Sequence, residues 1–291
     1  SATMALDAGL CDVALIVYGS NQRTASGRLV TASRPPAYEA PYNPRYPISA
    51  YAMAAARHMH EYGTTREQLA DVAVAARAWA QRNPEAFERG PLTREDVLGS
   101  RMVGDPLTVR DCCLVTDGGG AIVMVRADRA RDFPKAPAYV LGSAAASSHR
   151  QISQMKDFTV TAARDSGARA FAAAGVTPAD IQAVELYDAF TINTILFLED
   201  LGFCAKGEGG AFVEGGRIAP GGVLPVNTNG GGLSCVHPGM YGIFTVIEAA
   251  RQIRGDAPGI QLKDIDLALA HGNGGVLSSQ VTAILGSRNT L

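Results

Sequence analysis

The pattern of apolar positions divides the start of the chain into a strand, a long loop and two helices. Residues 12–19 contain an uninterrupted apolar run, which is typical of a buried strand. Residues 20–47 show no period and are rich in Pro, Ser, Arg and Tyr, so they predict a long loop. Helical spacing then predicts helices over 48–62 and 65–82, the second beginning with a capping box at residues 64–67.

The rest of the chain alternates between apolar strands and helices. Strands are predicted over 111–115, 120–126, 139–143, 183–187, 267–271 and 276–284. Helices are predicted over 159–174 and 190–201, and a further helix follows residue 242 and ends near 254. Residues 177–180 carry a helix start signal, with a proline at the first helical position. This alternation predicts an α/β fold. Glycine-rich residues 116–120 and 271–275 each precede an apolar strand, which is consistent with two copies of one α/β unit.

Composition excludes several classes of protein. With 47% apolar and 19% charged residues in 291 positions, the chain can bury the cores of about two domains. A net charge of -2 leaves no basic surplus for nucleic acid, and no apolar run reaches the length of a membrane-spanning helix. Five cysteines without CxxC spacing predict reduced thiols and no zinc site, so we expect a cytoplasmic protein without a bound metal.

The sharpest motif is residues 230–242, Gly-Gly-Gly-Leu-Ser-Cys-Val-His-Pro-Gly-Met-Tyr-Gly. Glycines let the backbone approach a ligand closely, and a proline after His237 holds that residue rigidly while its ring stays free to act. His237 is therefore a candidate general base or donor to a developing oxyanion; the alternative is a histidine that only caps a tight turn. Cys235 is a weaker candidate, because nothing beyond its proximity to His237 would activate the thiol.

Two further motifs follow predicted strands. His271 precedes a Gly-Asn-Gly-Gly run at the carboxyl end of a strand, where open α/β sheets bind ligands. The backbone N–H groups of Gly274 and Gly275 could stabilise an oxyanion there; the alternative is a hairpin whose glycines form the turn. Tyr187 and Asp188 also end a strand and bring a phenol and a carboxylate to a crevice, unless Asp188 is simply the cap of the next helix.

The remaining cysteines and histidines are weaker candidates. Cys112 and Cys113 are adjacent within a predicted strand, so at least one of them points into a core. His58 and His60 lie two positions apart on a predicted helix, on different faces, and we expect both at the surface.

Taken together, these motifs resemble the thiolase superfamily, in particular its sterol-carrier-protein-type and archaeal-like branch of acetyl-CoA acetyltransferases. The matching segments occur through most of the chain, at residues 8–19, 111–118, 187–190, 227–231, 237–238 and 271–275. The resemblance implies a five-layered αβαβα fold of two similar halves. Residues 1–135 would form the first half, incomplete at its N-terminus and carrying a loop domain inserted at about 20–105, and residues 136–291 would form the second half.

The resemblance also implies roles for residues. In this family an N-terminal cysteine attacks an acyl thioester, a histidine of a Gly-His-Pro motif helps to activate it, and a C-terminal Cys or His moves the substrate proton. His237 matches the Gly-His-Pro histidine, although Val236 replaces the glycine, and His271 stands at the C-terminal position. Tyr187 stands where the family usually has Asn or His. The segment with the nucleophilic cysteine would precede Ser1.

Three functional hypotheses follow. The first is a thiolase-like acyltransferase that cleaves 3-ketoacyl-CoA or condenses acyl-CoA, with coenzyme A thioesters as substrates and no permanently bound cofactor. The second is a thiolase-fold aldolase that cleaves β-hydroxyacyl-CoA together with an OB-fold and zinc-ribbon partner. The third is a non-catalytic subunit that binds such a partner. The resemblance also implies a homodimer or a dimer of dimers.

Overall fold

The computed structural model describes residues 1–25 and 37–291. Its helices are α1 (Ala2–Asp7), α2 (Ile48–Tyr62), α3 (Arg66–Ala80), α4 (Arg94–Leu98), α5 (Ala163–Ala174), α6 (Thr191–Asp200), α7 (Gly209–Val213) and α8 (Gly242–Arg254). Its strands are β1 (Val13–Ser20), β2 (Met102–Gly104), β3 (Leu107–Thr108), β4 (Gly118–Val125), β5 (Tyr139–Ser147), β6 (Ala183–Leu186), β7 (Leu267–Gly274) and β8 (Ser279–Gly286). The predicted α/β character is confirmed.

The strands form two principal sheets with a helix between them. In the larger sheet the order is β5-β8-β7-β6, with β7 antiparallel to β8 and parallel to β6. The second sheet pairs β1 with β4 in antiparallel register. Helix α8 contacts β6 and β7 on one side and β4 on the other, so it lies between the sheets. The beginning of α8 is thereby fixed beside the carboxyl ends of β6 and β7.

Helix α6 occupies the centre of the main core. All its residues are buried, including polar Asn193 and Glu199. Helix α5 packs on β5 and β8, where a Cβ atom at Gly142 would come within 2.3 Å of the Ala170 carbonyl oxygen. Glycine at this position therefore permits the close approach of helix and sheet.

Several predicted elements differ from the structure. Residues 111–115 do not form a strand, because Asp111 belongs to a 3₁₀ turn over Val109–Asp111 that its carboxylate stabilises by accepting from the Thr108 backbone N–H, while it also accepts from Thr191. Strand β4 begins at Gly118, two residues before the predicted start at 120, and pairs with β1. Strand β1 is not buried on both faces: Leu15 and Val17 are about two-thirds exposed.

Helix starts account for most of the other differences. Helix α2 has the predicted bounds, and α3 begins with a capping box, formed by Thr65 and Gln68 rather than at residues 64–67. Helix α5 begins at Ala163 rather than 159, because Asp200 accepts bonds from the backbone N–H and hydroxyl of Thr161. The start signal at 177–180 yields one 3₁₀ turn.

The predicted long loop and the predicted surface histidines have mixed outcomes. The loop falls partly on residues outside the described ranges, and its described ends contain turns and a short 3₁₀ helix, Ala40–Tyr42. His60 is exposed as predicted. His58 is fully buried, and its ring is hydrogen-bonded to Thr64 and to the Glu199 carboxylate of α6. The expectation for His58 was wrong because a buried acid on a distant helix pairs with it.

Candidate functional site

A cavity of about 1020 Å³ opens where the two sheets and α8 meet. Its walls come from β1, from the start of α2, from residues 187–190, from the start of α8 and from the β7–β8 hairpin. Most of the lining is aliphatic or aromatic, and its polar side chains include Tyr187, His237, Cys113, Asn273 and Tyr51. A large apolar pocket with a few convergent polar groups is the usual form of a small-molecule site.

Tyr187 and His237 form the central polar pair of this cavity. The Tyr187 hydroxyl lies 3.2 Å from His237 Nε2, and the two rings meet edge to face. Tyr187 directly follows β6, and its backbone N–H donates to the His271 carbonyl oxygen. The backbone of His237 is held by Thr116, whose hydroxyl accepts from the His237 N–H at 3.0 Å. Two segments far apart in sequence therefore hold the pair rigidly.

Burial sets the protonation states of this pair. Loss of water around the ring lowers the pKa of His237 from 6.5 to about 4, and burial raises the pKa of Tyr187. Near neutral pH the imidazole is therefore uncharged and the phenol is protonated. This combination allows the Tyr187 hydroxyl to donate to Nε2 while its oxygen accepts a proton from a substrate.

Asp188 holds the turn that leads to His237. Its carboxylate accepts hydrogen bonds from the backbone N–H groups of Gly232, at 2.6 Å, and Leu233, at 3.3 Å. A Cβ atom at Gly231 would lie 2.0 Å from this carboxylate, which explains the glycine. Asp188 is not the cap of α6, because Phe190 occupies the N-cap position, and it does not line the cavity. Burial raises its pKa to about 7.

The two cysteines near this site differ in their access to the cavity. Cys235 is buried in the turn over Gly231–Cys235, accepts a hydrogen bond from Asn83 and does not line the cavity. Burial raises its pKa to about 12. Cys113 does line the cavity, a position that the strand prediction had obscured, and burial likewise raises its pKa. Both thiols are therefore protonated at neutral pH, and neither is an activated nucleophile.

The structure does not bring the His271 ring to the cavity, which corrects the expectation that this residue lies at a ligand site at the carboxyl end of its strand. Strand β7 continues past His271 to Gly274, so this residue lies within the strand rather than at its end. Because side chains alternate along a strand, Ala270 and Gly272 line the cavity while His271 points to Phe197 on the opposite face. Its ring is fully buried.

The two predicted oxyanion glycines lie at the end of β7. Gly274 pairs with Ser279 in the β7–β8 ladder, and Gly275 begins the connecting turn with a φ of +61°. Both line the cavity. Their location is compatible with backbone donors facing a substrate, and their role as donors stays a prediction.

Within 1–25 and 37–291, no group of three or more His, Cys, Asp or Glu side chains could hold a metal ion. In the same ranges, every helix is too short or too polar to cross a bilayer.

Comparison with known proteins decides the family. A family model described as thiolase C-terminal domain-like matches residues 144–287. A steroid side-chain-cleaving aldolase of Thermomonospora curvata is 37% identical over 270 residues, covering 87% of this chain and 68% of that protein. The chain belongs to the thiolase superfamily. The predicted resemblance is thereby confirmed.

Two further similarities refine this placement within the thiolase superfamily. An acetyl-CoA acetyltransferase of Methanothermobacter thermautotrophicus is 44% identical over 229 residues, covering 78% of this chain. The chain spans 60% of the length of that relative. A solved structure described as an Ltp2-ChsH2(DUF35) aldolase superposes with a TM-score of 0.88 at 36% identity, covering 98% of this chain and 75% of the other. The predicted thiolase-like fold is confirmed.

Proposed function

We propose that this protein cleaves the carbon–carbon bond of a β-hydroxyacyl-CoA by a retro-aldol reaction. The observation that carries the proposal is the Tyr187–His237 pair, with a hydroxyl 3.2 Å from a neutral imidazole nitrogen inside the cavity. A retro-aldol reaction needs a base that accepts the β-hydroxyl proton and a site that stabilises the enolate. It needs no covalent intermediate. The similarity to a steroid side-chain-cleaving aldolase supports the same chemistry.

The proton route follows from the pair's protonation states. The Tyr187 oxygen accepts the β-hydroxyl proton of the substrate as the Tyr187 proton passes to His237 Nε2. The Cα–Cβ bond then breaks, its electron pair forms the thioester enolate, and the β-carbon leaves as a ketone or aldehyde. The proton returns from the imidazolium to Cα and completes an acyl-CoA. Because the imidazolium and the enolate arise together, their charges offset each other in a cavity of low polarity.

The cavity supports a large acyl group. Its volume of about 1020 Å³ lies at the upper end of the usual range for small-molecule sites, and most of its lining is apolar. Coenzyme A thioesters are proposed as substrates without a permanently bound cofactor. The solved structure described as an Ltp2-ChsH2(DUF35) aldolase, which superposes with a TM-score of 0.88, supports the proposed OB-fold and zinc-ribbon partner. A cytoplasmic homodimer remains part of the proposal.

Thiolytic acyl transfer is the second candidate. The 44% identity to an archaeal acetyl-CoA acetyltransferase favours it, and His237 would then assist a nucleophile. The two reactions differ in their need for free CoA. Thiolysis consumes CoA as a co-substrate, whereas retro-aldol cleavage does not.

The test uses the full-length protein and a series of tertiary β-hydroxyacyl-CoA thioesters, from 3-hydroxy-3-methylbutanoyl-CoA to a steroid side-chain thioester. We expect release of ketone and acyl-CoA without added CoA. Tyr187→Phe should lower kcat by about 100-fold, the usual contribution of a positioned acid–base group. Tyr62→Phe, the same change at a partly exposed position on α2, is the matched control. Cleavage of acetoacetyl-CoA that strictly requires CoA, with no ketone release, would replace this proposal by the second candidate.

A further inference from the structure

A chain of buried hydrogen bonds runs from His271 to the cavity. His271 Nε2 lies 2.9 Å from Gln280 Oε1, and Gln280 Nε2 donates to Asn273 Oδ1 at 2.8 Å. Asn273 Nδ2 in turn donates to the hydroxyl oxygen of Tyr51 at 2.9 Å. Tyr51 and Asn273 both line the cavity, whereas His271 and Gln280 do not. The chain therefore connects a buried ring in the sheet with a hydroxyl on the wall of the site.

The chain has a defined direction. Gln280 Oε1 is an acceptor, so His271 carries its proton on Nε2, and Nδ1 accepts from the Thr282 hydroxyl at 2.9 Å. Each amide then accepts on its oxygen and donates from its nitrogen. At the last link the Tyr51 oxygen is an acceptor, so its own proton takes no part in this chain. The Tyr51 ring is fixed by stacking on Phe190, with centroids 4.3 Å apart.

We propose that Tyr51 is a second catalytic hydroxyl of this site, which donates a hydrogen bond to the thioester oxygen as the enolate forms. Asn273, Gln280 and His271 are positioning residues that keep the Tyr51 proton pointed into the cavity. This inference rests on the proposed retro-aldol function and adds the group that stabilises its enolate. No proton is transferred at this step: the electron pair of the broken Cα–Cβ bond moves onto the thioester oxygen, and Tyr51 keeps its O–H bond.

The chemistry of the wall fits this assignment. Tyr51 is only 2% exposed, so its hydroxyl exchanges few bonds with water before substrate binds. Burial raises the pKa of Tyr51, against a smaller opposing effect of its bond from Asn273, so the group remains a donor at neutral pH. A preorganised donor in a site shielded from water stabilises developing charge far more than the same donor in water. In this scheme Tyr187 and His237 transfer the substrate proton, and Tyr51 stabilises the negative charge on the thioester oxygen.

The test compares four forms of the full-length protein with the wild type, using a tertiary β-hydroxyacyl-CoA. Tyr51→Phe should lower kcat by about 100-fold with little change in KM, the usual loss for one oxyanion donor. Asn273→Asp places an acceptor next to Tyr51, so the Tyr51 proton turns toward the carboxylate and kcat should fall to a similar extent. The double variant should be no worse than Tyr51→Phe alone. Tyr62→Phe, on the same helix, is the matched control.

The outcomes distinguish a failure of the role proposed for Tyr51 from a failure of the proposed function. If wild-type protein releases ketone and Tyr51→Phe keeps kcat within threefold, the role of Tyr51 is overturned and the proposed function stands. If the losses of Tyr51→Phe and Asn273→Asp multiply in the double variant, Asn273 acts independently and the positioning chain is overturned. Should Asn273→Asp not fold, Asn273→Ala serves in the same cycle. Wild-type protein without ketone release overturns the function and this inference together.

Discussion

The pH dependence of stability tests the burial of His271. Burial lowers the pKa of this ring from 6.5 to about 4. Between these values the unfolded chain binds a proton that the folded chain does not, so the free energy of unfolding falls as the solution is acidified through this window. A gap of about 2.5 pKa units makes the loss about 3 kcal/mol by pH 4. His237 adds a loss of the same sign.

The perturbation is His271→Gln, which removes the titrating ring and keeps a polar side chain between Thr282 and Gln280. Urea unfolding can be followed between about pH 4 and 7 by the fluorescence of Trp79, the single tryptophan, which is fully buried on α3. We expect the wild type to lose about 3 kcal/mol more than the variant over this range. His60→Gln, at an exposed position on α2, should retain the wild-type dependence. Equal losses in wild type and His271→Gln would refute the reasoning.

Two further predictions concern stability, each with a matched control. Gly231→Ala should destabilise the fold by several kcal/mol, because its Cβ would meet the Asp188 carboxylate. Gly175→Ala, at a similar φ but with open space around it, should lose only about 1 kcal/mol. Thermal unfolding measures both changes in stability. Lys206→Met should lower the free energy of unfolding in urea by about 3 kcal/mol, because the buried carboxylates of Glu199 and Asp200 lose their cation. Lys135→Met, which removes an exposed ion pair, should lower it by less than about 1 kcal/mol. Equal losses within either pair would contradict the argument.

Local pattern was enough to find most helices and strands. The bounds of α2 followed from helical spacing, and β6 and α6 followed from successive apolar segments over 183–187 and 190–201. Asp111 broke the prediction of a strand because its carboxylate binds a hydroxyl 80 positions away. No local pattern reports such a bond.

The sequence predicted part of the candidate site. Tyr187 and His237 were found because each lies in a distinctive motif at the end of an element. His271 was placed at the end of its strand, although β7 continues for three residues and turns the ring to the other face. Tyr51 was missed, since its partner Asn273 lies 222 positions further along the chain. Strand alternation places Asn273 on the same face as His271, so the sequence pattern did not indicate that its side chain reaches the cavity.

The walls of the cavity come from segments that are remote in sequence, and this division has an evolutionary consequence. The proposed proton-handling pair belongs to the last 105 residues, from Tyr187 onward, while α2 contributes Tyr51 from the segment that the resemblance predicts to be an inserted loop domain. Mutations in this segment that spare Tyr51 can reshape the wall of the cavity while the acid–base pair stays untouched. Related proteins with this fold can thus acquire new substrates while the residues that transfer the proton stay the same.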